Sequence, residues 1–270
     1  MTELLERYGP WAVIAGGSEG VGEAFARQLA AAGVHLVLLA RTATALESVG
    51  TSLRREYPGV EVVTASIDLA AIDAAAQVAA VVADRQVGLL VLNAGANTLS
   101  GSFLEQDPED VARAIRLSVH LPLQLVHQFA PPMVDRQRGG ILMVGSLAGY
   151  LGQPGLAVYS ADKAWQRCFC ESLWLELQPR GVDILHLVLG VTRTPAMERA
   201  GLAFDAPGLV VADPSDVARQ GLADLPHGPV SVIAGNEGIV ESRSGTDRAR
   251  LIASTARRMS GLLPGSAAAR

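Results

Sequence analysis

The 270-residue chain has only two cysteines, Cys168 and Cys170. They stand two apart in a stretch with helical spacing, where such neighbours point to different faces. No disulfide is expected between them, and both read as packing thiols. No apolar run reaches the roughly 18 residues that a membrane-spanning helix needs. Met1–Tyr8 carries Glu3 and Glu6 and lacks an apolar core, so a signal peptide is not expected and a soluble, cytoplasmic protein is the default. There is no cluster of Lys and Arg interleaved with aromatics, and the formal net charge is −5, which argues against a nucleic-acid partner. The five histidines (His35, His120, His127, His186 and His227) show no ligand spacing, so no metal site is expected.

What is present suits a well-buried core: 49% of residues are hydrophobic and the mean hydropathy is +0.28. The length fits one large α/β domain. Trp11–Ala15 is a short apolar strand that breaks into glycines, and Glu23–Ala32 returns to helical spacing, with Gly33 as its stop. His35–Ala40, Val60–Ala65 and Val87–Leu92 read as buried strands, separated by helices over Ala43–Tyr57 and Ile72–Arg85. Beyond a loop at Asn97–Gln106, Asp107 and Pro108 open a long helix to about Phe129. Gly140–Val144, Val158–Leu177 and Val182–Val188 continue as strand, helix, strand, and Pro195–Pro207 is irregular and partly helical. A helix opened by Asp213 and Pro214 runs to Leu225, Pro229–Ala234 is a seventh strand, and Asp247–Met259 is a last helix.

Strand and helix alternate from Trp11 to Val188 without a linker. The fold class is therefore α/β, a doubly wound (Rossmann) parallel sheet of about seven strands with helices on both faces, in a single domain spanning 1–270. Its cofactor half is expected over about 8–140, its catalytic and substrate half over about 141–240, and a helical tail over about 241–270.

The segment Gly16-Gly17-Ser18-Glu19-Gly20-Val21-Gly22 follows a strand and opens a helix, the context in which a glycine motif binds a dinucleotide. Helix-start amides and the helix dipole favour an anion, while Gly16, Gly20 and Gly22 let the backbone approach a pyrophosphate. Ser18 adds a hydroxyl donor. The second strand ends in Ala40-Arg41 with no carboxylate, so a guanidinium is available for a 2′-phosphate and NADP(H) is preferred over NAD(H), which stays possible. Glu19 counts mildly against that preference. Asp68 is placed to accept from the adenine amino group. Asn93-Ala94-Gly95 closes the fourth strand at the sheet's carboxyl edge, where Asn93 suits either cofactor contact or bracing of neighbouring strands.

Ser146, Tyr159 and Lys163 supply the chemistry. Tyr159 and Lys163 are four apart on one helix face. A phenol with an ordinary pKa near 10 is expected to fall by about 1–3 pH units beside an ammonium and an oxidised nicotinamide. Tyr159 then serves as general acid or base, and Ser146 stabilises charge on the substrate oxygen.

Together these motifs resemble the short-chain dehydrogenase/reductase family, over roughly residues 8–195. The matching residues are Ala15 to Gly22, Asp68, Asn93-Ala94-Gly95, Ser146 and Tyr159-Ser160-Ala161-Asp162-Lys163. The resemblance implies hydride transfer between NADP(H) and a small-molecule carbonyl or secondary alcohol. It implies catalytic roles for Ser146, Tyr159 and Lys163. It also implies cofactor contacts from Gly16, Ser18, Gly20, Val21, Gly22, Arg41, Asp68, Leu69, Asn93, Gly95, Tyr159, Lys163, Thr192 and Thr194. Two departures stand out. Ser118 occupies the position of the family's fourth catalytic residue, an asparagine whose backbone carbonyl holds a relay water. Pro122 cannot donate a helical bond to the Ser118 carbonyl, so that carbonyl is expected to be free for the water. Leu189 replaces a proline before Gly190, which is expected to loosen the segment from Val191 to Thr194.

Leu147, Tyr150, Leu151, Leu156, Met197, Leu202 and Phe204 are candidates to line an apolar substrate side, pointing to an apolar ketone or a steroid- or retinol-like alcohol. The tail after Ala234 lacks the glycine-rich ending of acyl-carrier-protein reductases, which disfavours a fatty-acid-synthesis role. The resemblance further suggests a homodimer or homotetramer through the two long helices. The competing reading is an NADP-binding regulator that kept the fold and lost activity.

Overall fold

The computed structural model describes residues 2–95, 101–205 and 209–259. A short helix α1 (Glu3–Tyr8), capped by the Thr2 hydroxyl, leads into β1 (Trp11–Ala15). Helix α2 (Gly20–Ala31) begins three residues earlier than its side-chain pattern suggests, because the last glycines of the loop already form its first turn. Then follow β2 (His35–Ala40), α3 (Ala43–Glu56), β3 (Val62–Ser66), α4 (Ala74–Val82) and β4 (Val87–Leu92). Helix α4 is shorter than Ile72–Arg85, and Ile72 is exposed.

The long helix expected over Pro108–Phe129 is two helices joined by a wider turn. α5 (Pro108–Ile115) starts where the Asp107 carboxylate accepts from the Glu109 N–H. Arg116–His120 is a π turn, with the Leu121 N–H reaching back five residues to the Arg116 carbonyl, and α6 (Leu121–Asp135) follows. Pro122 sits where a regular helix would need an N–H, and the backbone has widened there; such π bulges recur at functional sites. The chain continues through β5 (Gly139–Ser146), α7 (Ala157–Leu177), β6 (Val182–Leu189), β7 (Val191–Thr192), α8 (Pro195–Arg199) and β8 (Val211–Ala212). It ends in α9 (Pro214–Asp224), β9 (Val230–Val232), α10 (Glu237–Arg243) and α11 (Arg248–Met259). Sequence spacing missed α1, α10 and the β7–β8 pair, all short, and among the described residues of the stretch from Pro195 to Pro207 only α8 is helical.

Seven strands form one parallel sheet in the order β3-β2-β1-β4-β5-β6-β9. Both faces are covered. Ala12, Ile14, Leu36, Leu38, Leu142 and Leu185 pack on one side with Phe25 and Leu29 of α2. Val13, Ala15, Val37, Leu39, Leu90, Ile141 and Met143 pack on the other with Leu125 and Phe129 of α6 and Cys170 of α7. Alternate residues thus face two apolar layers, which is why the strands read as continuous hydrophobic runs. Chain order reverses between β1 and β4, opening a crevice at their carboxyl ends.

Candidate active site

Three segments converge on that crevice. After β1 the backbone turns through Gly16 at φ +88°, and a Cβ on Gly22 would run into the Gly16 carbonyl. Only glycine permits so closed a turn. The Asn93 amide donates to the Gly16 carbonyl at 2.8 Å, and the Asn93 and Ala94 N–H groups donate to the Ala15 carbonyl at 3.0 and 2.8 Å. Asn93 is therefore the bracket between the glycine turn and β4. The N-cap of α2, Glu19, makes no side-chain capping bond, so the first-turn amides lack a side-chain acceptor. An uncapped helix start on a glycine turn is a site for phosphate oxygens, which is the requirement of a dinucleotide.

Around this loop lie the other expected cofactor residues. Ser18 and Gly20 are half-buried at the crevice, whereas Val21 and Gly22 are buried. Gly20 faces the Thr194 side chain, and Thr194 caps α8 by accepting from the Met197 N–H. Arg41 is exposed at the end of β2 and its charge, together with Arg113, favours the Asp68 carboxylate. The Arg113 guanidinium already donates to Asp68 Oδ2 at 2.7 Å, while Oδ1 accepts from the Ala70 N–H at 3.1 Å. Asp68 is thus held below the usual carboxylate range, first by the Arg113 hydrogen bond. Leu69 is buried beside it, and Gly95, at φ +133°, adjoins both the Ser118 hydroxyl and the Lys163 ammonium.

Strand β5 delivers Ser146 at its last position, opposite Leu189 of β6. Its hydroxyl oxygen accepts from the Ala148 N–H at 3.1 Å and hydrogen-bonds Tyr159. Tyr159 and Lys163 share one face of α7, the ammonium lying 5.7 Å from the ring centroid. Burial of the Tyr159 hydroxyl pushes its pKa up, and the Ser146 bond partly offsets this. The ammonium is turned elsewhere, donating to the Val144 carbonyl at 2.9 Å and to Gln166 Oε1 at 3.1 Å. Burial brings Lys163 down to about 8, opposed by Asp162.

Beneath the lysine is a polar cluster that the sequence reading did not assemble. Ser118, Asp162, Lys163 and Gln166 are all buried. The Asp162 carboxyl is pushed up to about 6 by burial, against the pull of Lys163 and of a hydrogen bond with Ser118. The Ser118 carbonyl, which Pro122 cannot engage, accepts from Gln166 Nε2 at 3.0 Å. The signal was present in Tyr-Ser-Ala-Asp-Lys and in a glutamine three residues on, one helical turn from the lysine.

The segment without the family's proline is better restrained than expected. Val191 and Thr192 pair with Val211 and Ala212, the Arg193 N–H donates to the Ala212 carbonyl, and Thr192 is buried. Of the substrate-side candidates, Leu147 and Leu151 are fully packed, whereas Tyr150, Leu156, Met197, Leu202 and Phe204 keep partial exposure. Asn97, at the start of the loop expected over Asn97–Gln106, lies outside the described residues. Arg243 and Arg248 donate to the Leu147 and Tyr150 carbonyls, so the C-terminal helices tie down the turn after Ser146.

Comparison with known proteins matches this geometry. The short chain dehydrogenase family model matches residues 10–203. The very-long-chain 3-oxoacyl-CoA reductase of Laccaria bicolor is 36% identical over 182 residues, 66% of this chain and 54% of that protein, so the chain spans about half the length of that relative. A solved short-chain dehydrogenase from Sphingobium yanoikuyae in complex with NADPH is 28% identical with a TM-score of 0.77, covering 97% of this chain and 100% of that one. A 7beta-hydroxysteroid dehydrogenase structure shares the fold at a TM-score of 0.85 and 24% identity, covering 94% and 99%.

Proposed function

The chain belongs to the short-chain dehydrogenase family; from this premise we propose that it is an oxidoreductase of C=O and CH–OH groups, an NADP(H)-dependent reductase with Tyr159 as its proton donor. The observation that carries the reading is the convergence of Ser146, Tyr159 and Lys163 on the crevice where the uncapped glycine turn opens. Bound there, the nicotinamide supplies or takes up a hydride. The chain's own residues do the rest. Ser146 donates to the substrate oxygen, and its ties to Ala148 and Tyr159 fix its position. Burial keeps the Tyr159 phenol protonated at neutral pH, the state a general acid needs for carbonyl reduction. Lys163 keeps a third N–H beyond those given to Val144 and Gln166, on the side of Gly95.

For the substrate, the relatives favour a 3-oxoacyl thioester over the plain apolar ketone or steroid that the apolar lining alone suggested. The half-exposed Leu156, Met197, Leu202 and Phe204 suit an acyl chain. A catalytically silent regulator finds no support: the trio is intact and the Leu189 segment is held in place. NADP(H) preference rests on Arg41 and the absence of a carboxylate at the end of β2.

The test is a titration with NADPH and NADH followed by turnover on a panel of 3-oxoacyl thioesters, ketones and secondary alcohols. Arg41→Ala should weaken NADPH about tenfold and leave NADH unchanged. Equal affinity of the native chain for both nucleotides would remove the NADP(H) assignment. Turnover of simple ketones without any of thioesters would remove the acyl one.

A further inference from the structure

We propose that Gln166 is a positioning residue for this reaction: its side-chain amide bridges the Lys163 ammonium and the Ser118 carbonyl and so fixes where the lysine points. The inference rests on the reading of Tyr159 and Lys163 given above. Gln166 is 2% exposed and both ends of its amide are used, Oε1 accepting from Lys163 at 3.1 Å and Nε2 donating to Ser118 at 3.0 Å. Lys163 and Gln166 are three apart on α7, so one helix turn sets their spacing. Across from them the π turn of Arg116–His120 presents the Ser118 carbonyl, which Pro122 cannot engage. The widened turn and the glutamine thus fit each other: one offers an acceptor, the other fills it. A carboxamide passes a proton poorly, so the bridge orients the lysine rather than supplying it.

The groups that act on Lys163 are few. Tyr159 and Asp162 lie on its own helix. From β6 comes His186, a neutral ring whose nitrogens have no partner among the described residues, itself under the influence of Lys163 and Arg167. Among these, Gln166 is the side-chain acceptor that fixes where the ammonium points.

Because the chain has a single lysine, a sample labelled at lysine carbon gives one side-chain signal that reports Lys163 alone. Gln166→Met should move that titration down by about 1 pH unit, and Gln166→Glu should move it up by a similar amount. The pH profile of kcat should follow each shift. Gln166→Met should lower kcat about ten- to a hundredfold, with Gln166→Glu recovering part of the loss. A packing role alone would lower the melting temperature of both variants and leave the lysine titration in place, which would overturn the proposal. If Gln166→Met does not fold, the native protein decides. Its Gln166 side-chain amide protons should exchange far more slowly than those of an exposed glutamine, and rapid exchange would sink the bridge. Tyr159→Phe separates the two readings. Undiminished turnover in that variant would overturn the role of Tyr159, whereas the lysine titration in the Gln166 variants tests the bridge by itself.

Discussion

Two buried polar clusters sit at opposite edges of the sheet, and they are built in opposite ways. At the amino edge of β6, Asp183 accepts from Arg7 Nε at 2.7 Å, from Arg7 Nη2 at 3.0 Å and from the Tyr8 hydroxyl at 2.8 Å. Charge and donors match, so the Arg7 pKa is raised by the Asp183 bond and that of Tyr8 by burial and the adjacent carboxylate. Neither group titrates near neutral pH. At the carboxyl edge, about 13 Å further along the sheet at the level of Val144, Asp162 and Lys163 are drawn toward one another's titration range, to about 6 and about 8. The first cluster locks α1 to the sheet. The second keeps an acid and a base close to the pH at which protons must move, as functional sites do.

The sharpest way to break the comparison is at the carboxyl edge. Tyr159→Phe removes the proposed proton donor and leaves ring packing in place. It should lower kcat by about 10²–10⁴ with an unchanged melting temperature, measured on the best substrate from the panel. A loss below tenfold would mean that another group donates the proton.

Much of this was legible in the sequence, and the parts that were not share a cause. The strands were readable because burial on both faces makes them continuously apolar, as in β2 and β4. Asp107 and Asp213 announced their helices, and each accepts the N–H two residues on. Gly16, Ser146, Tyr159 and Lys163 could be picked out as candidates because their spacing along the chain encodes their geometry. Gln166 was not found, because its meaning depends on Ser118, 48 positions away and carried by a different helix. The Arg7–Asp183 pair, 176 positions apart, was hidden for the same reason. Pro122 signalled a break in the helical bonding; which group would use the freed carbonyl depended on packing. The burial that raises the Tyr159 pKa was hidden because spacing along the chain shows neighbours alone.

At the amino edge the expected effect is on stability alone. Asp183→Asn weakens two bonds from Arg7 and one from Tyr8, where Asp183 is largely buried and Arg7 partly exposed. A loss of about 1–3 kcal/mol is expected, read as a lower midpoint in urea, with kcat of the folded enzyme within twofold of native. A large fall in kcat at constant stability would show that the two edges are coupled.

A subtler difference lies in how stability depends on pH. Asp162 binds its proton more tightly folded than unfolded, with its pKa raised from 3.8 to about 6. The native state therefore holds a proton that the unfolded chain has lost, and stability falls as pH rises through that window. Lys163 is lowered from 10.5 to about 8. The native state releases its proton first, so stability rises from pH 8 toward 10.5. Both charges are buried together between pH 6 and 8, where the cluster costs most. Asp162→Asn should flatten the decline between pH 4 and 6, and Asp183→Asn should leave that slope unchanged. Parallel melting curves for native and Asp162→Asn proteins across that range would refute the assignment of Asp162.

The smallest effect concerns a charge that neither cluster contains. Glu19 places a carboxylate on the turn where phosphate oxygens would dock, and Arg199 of α8 grips it with two bonds of 2.6 and 3.0 Å. Both side chains are well exposed, so the pair adds little to stability. Its effect is on the field at the turn. With Arg199 present the carboxylate is neutralised; in Arg199→Ala it faces the phosphates bare and should weaken NADPH about two- to fivefold at low salt. The penalty should shrink as ionic strength rises, because the charges are open to solvent. Adding Glu19→Gln to Arg199→Ala should restore affinity, since the repelling charge is gone. A loss that persists in the double variant would assign Arg199 a direct contact with the nucleotide instead, and would place a second guanidinium beside Arg41 in the cofactor site.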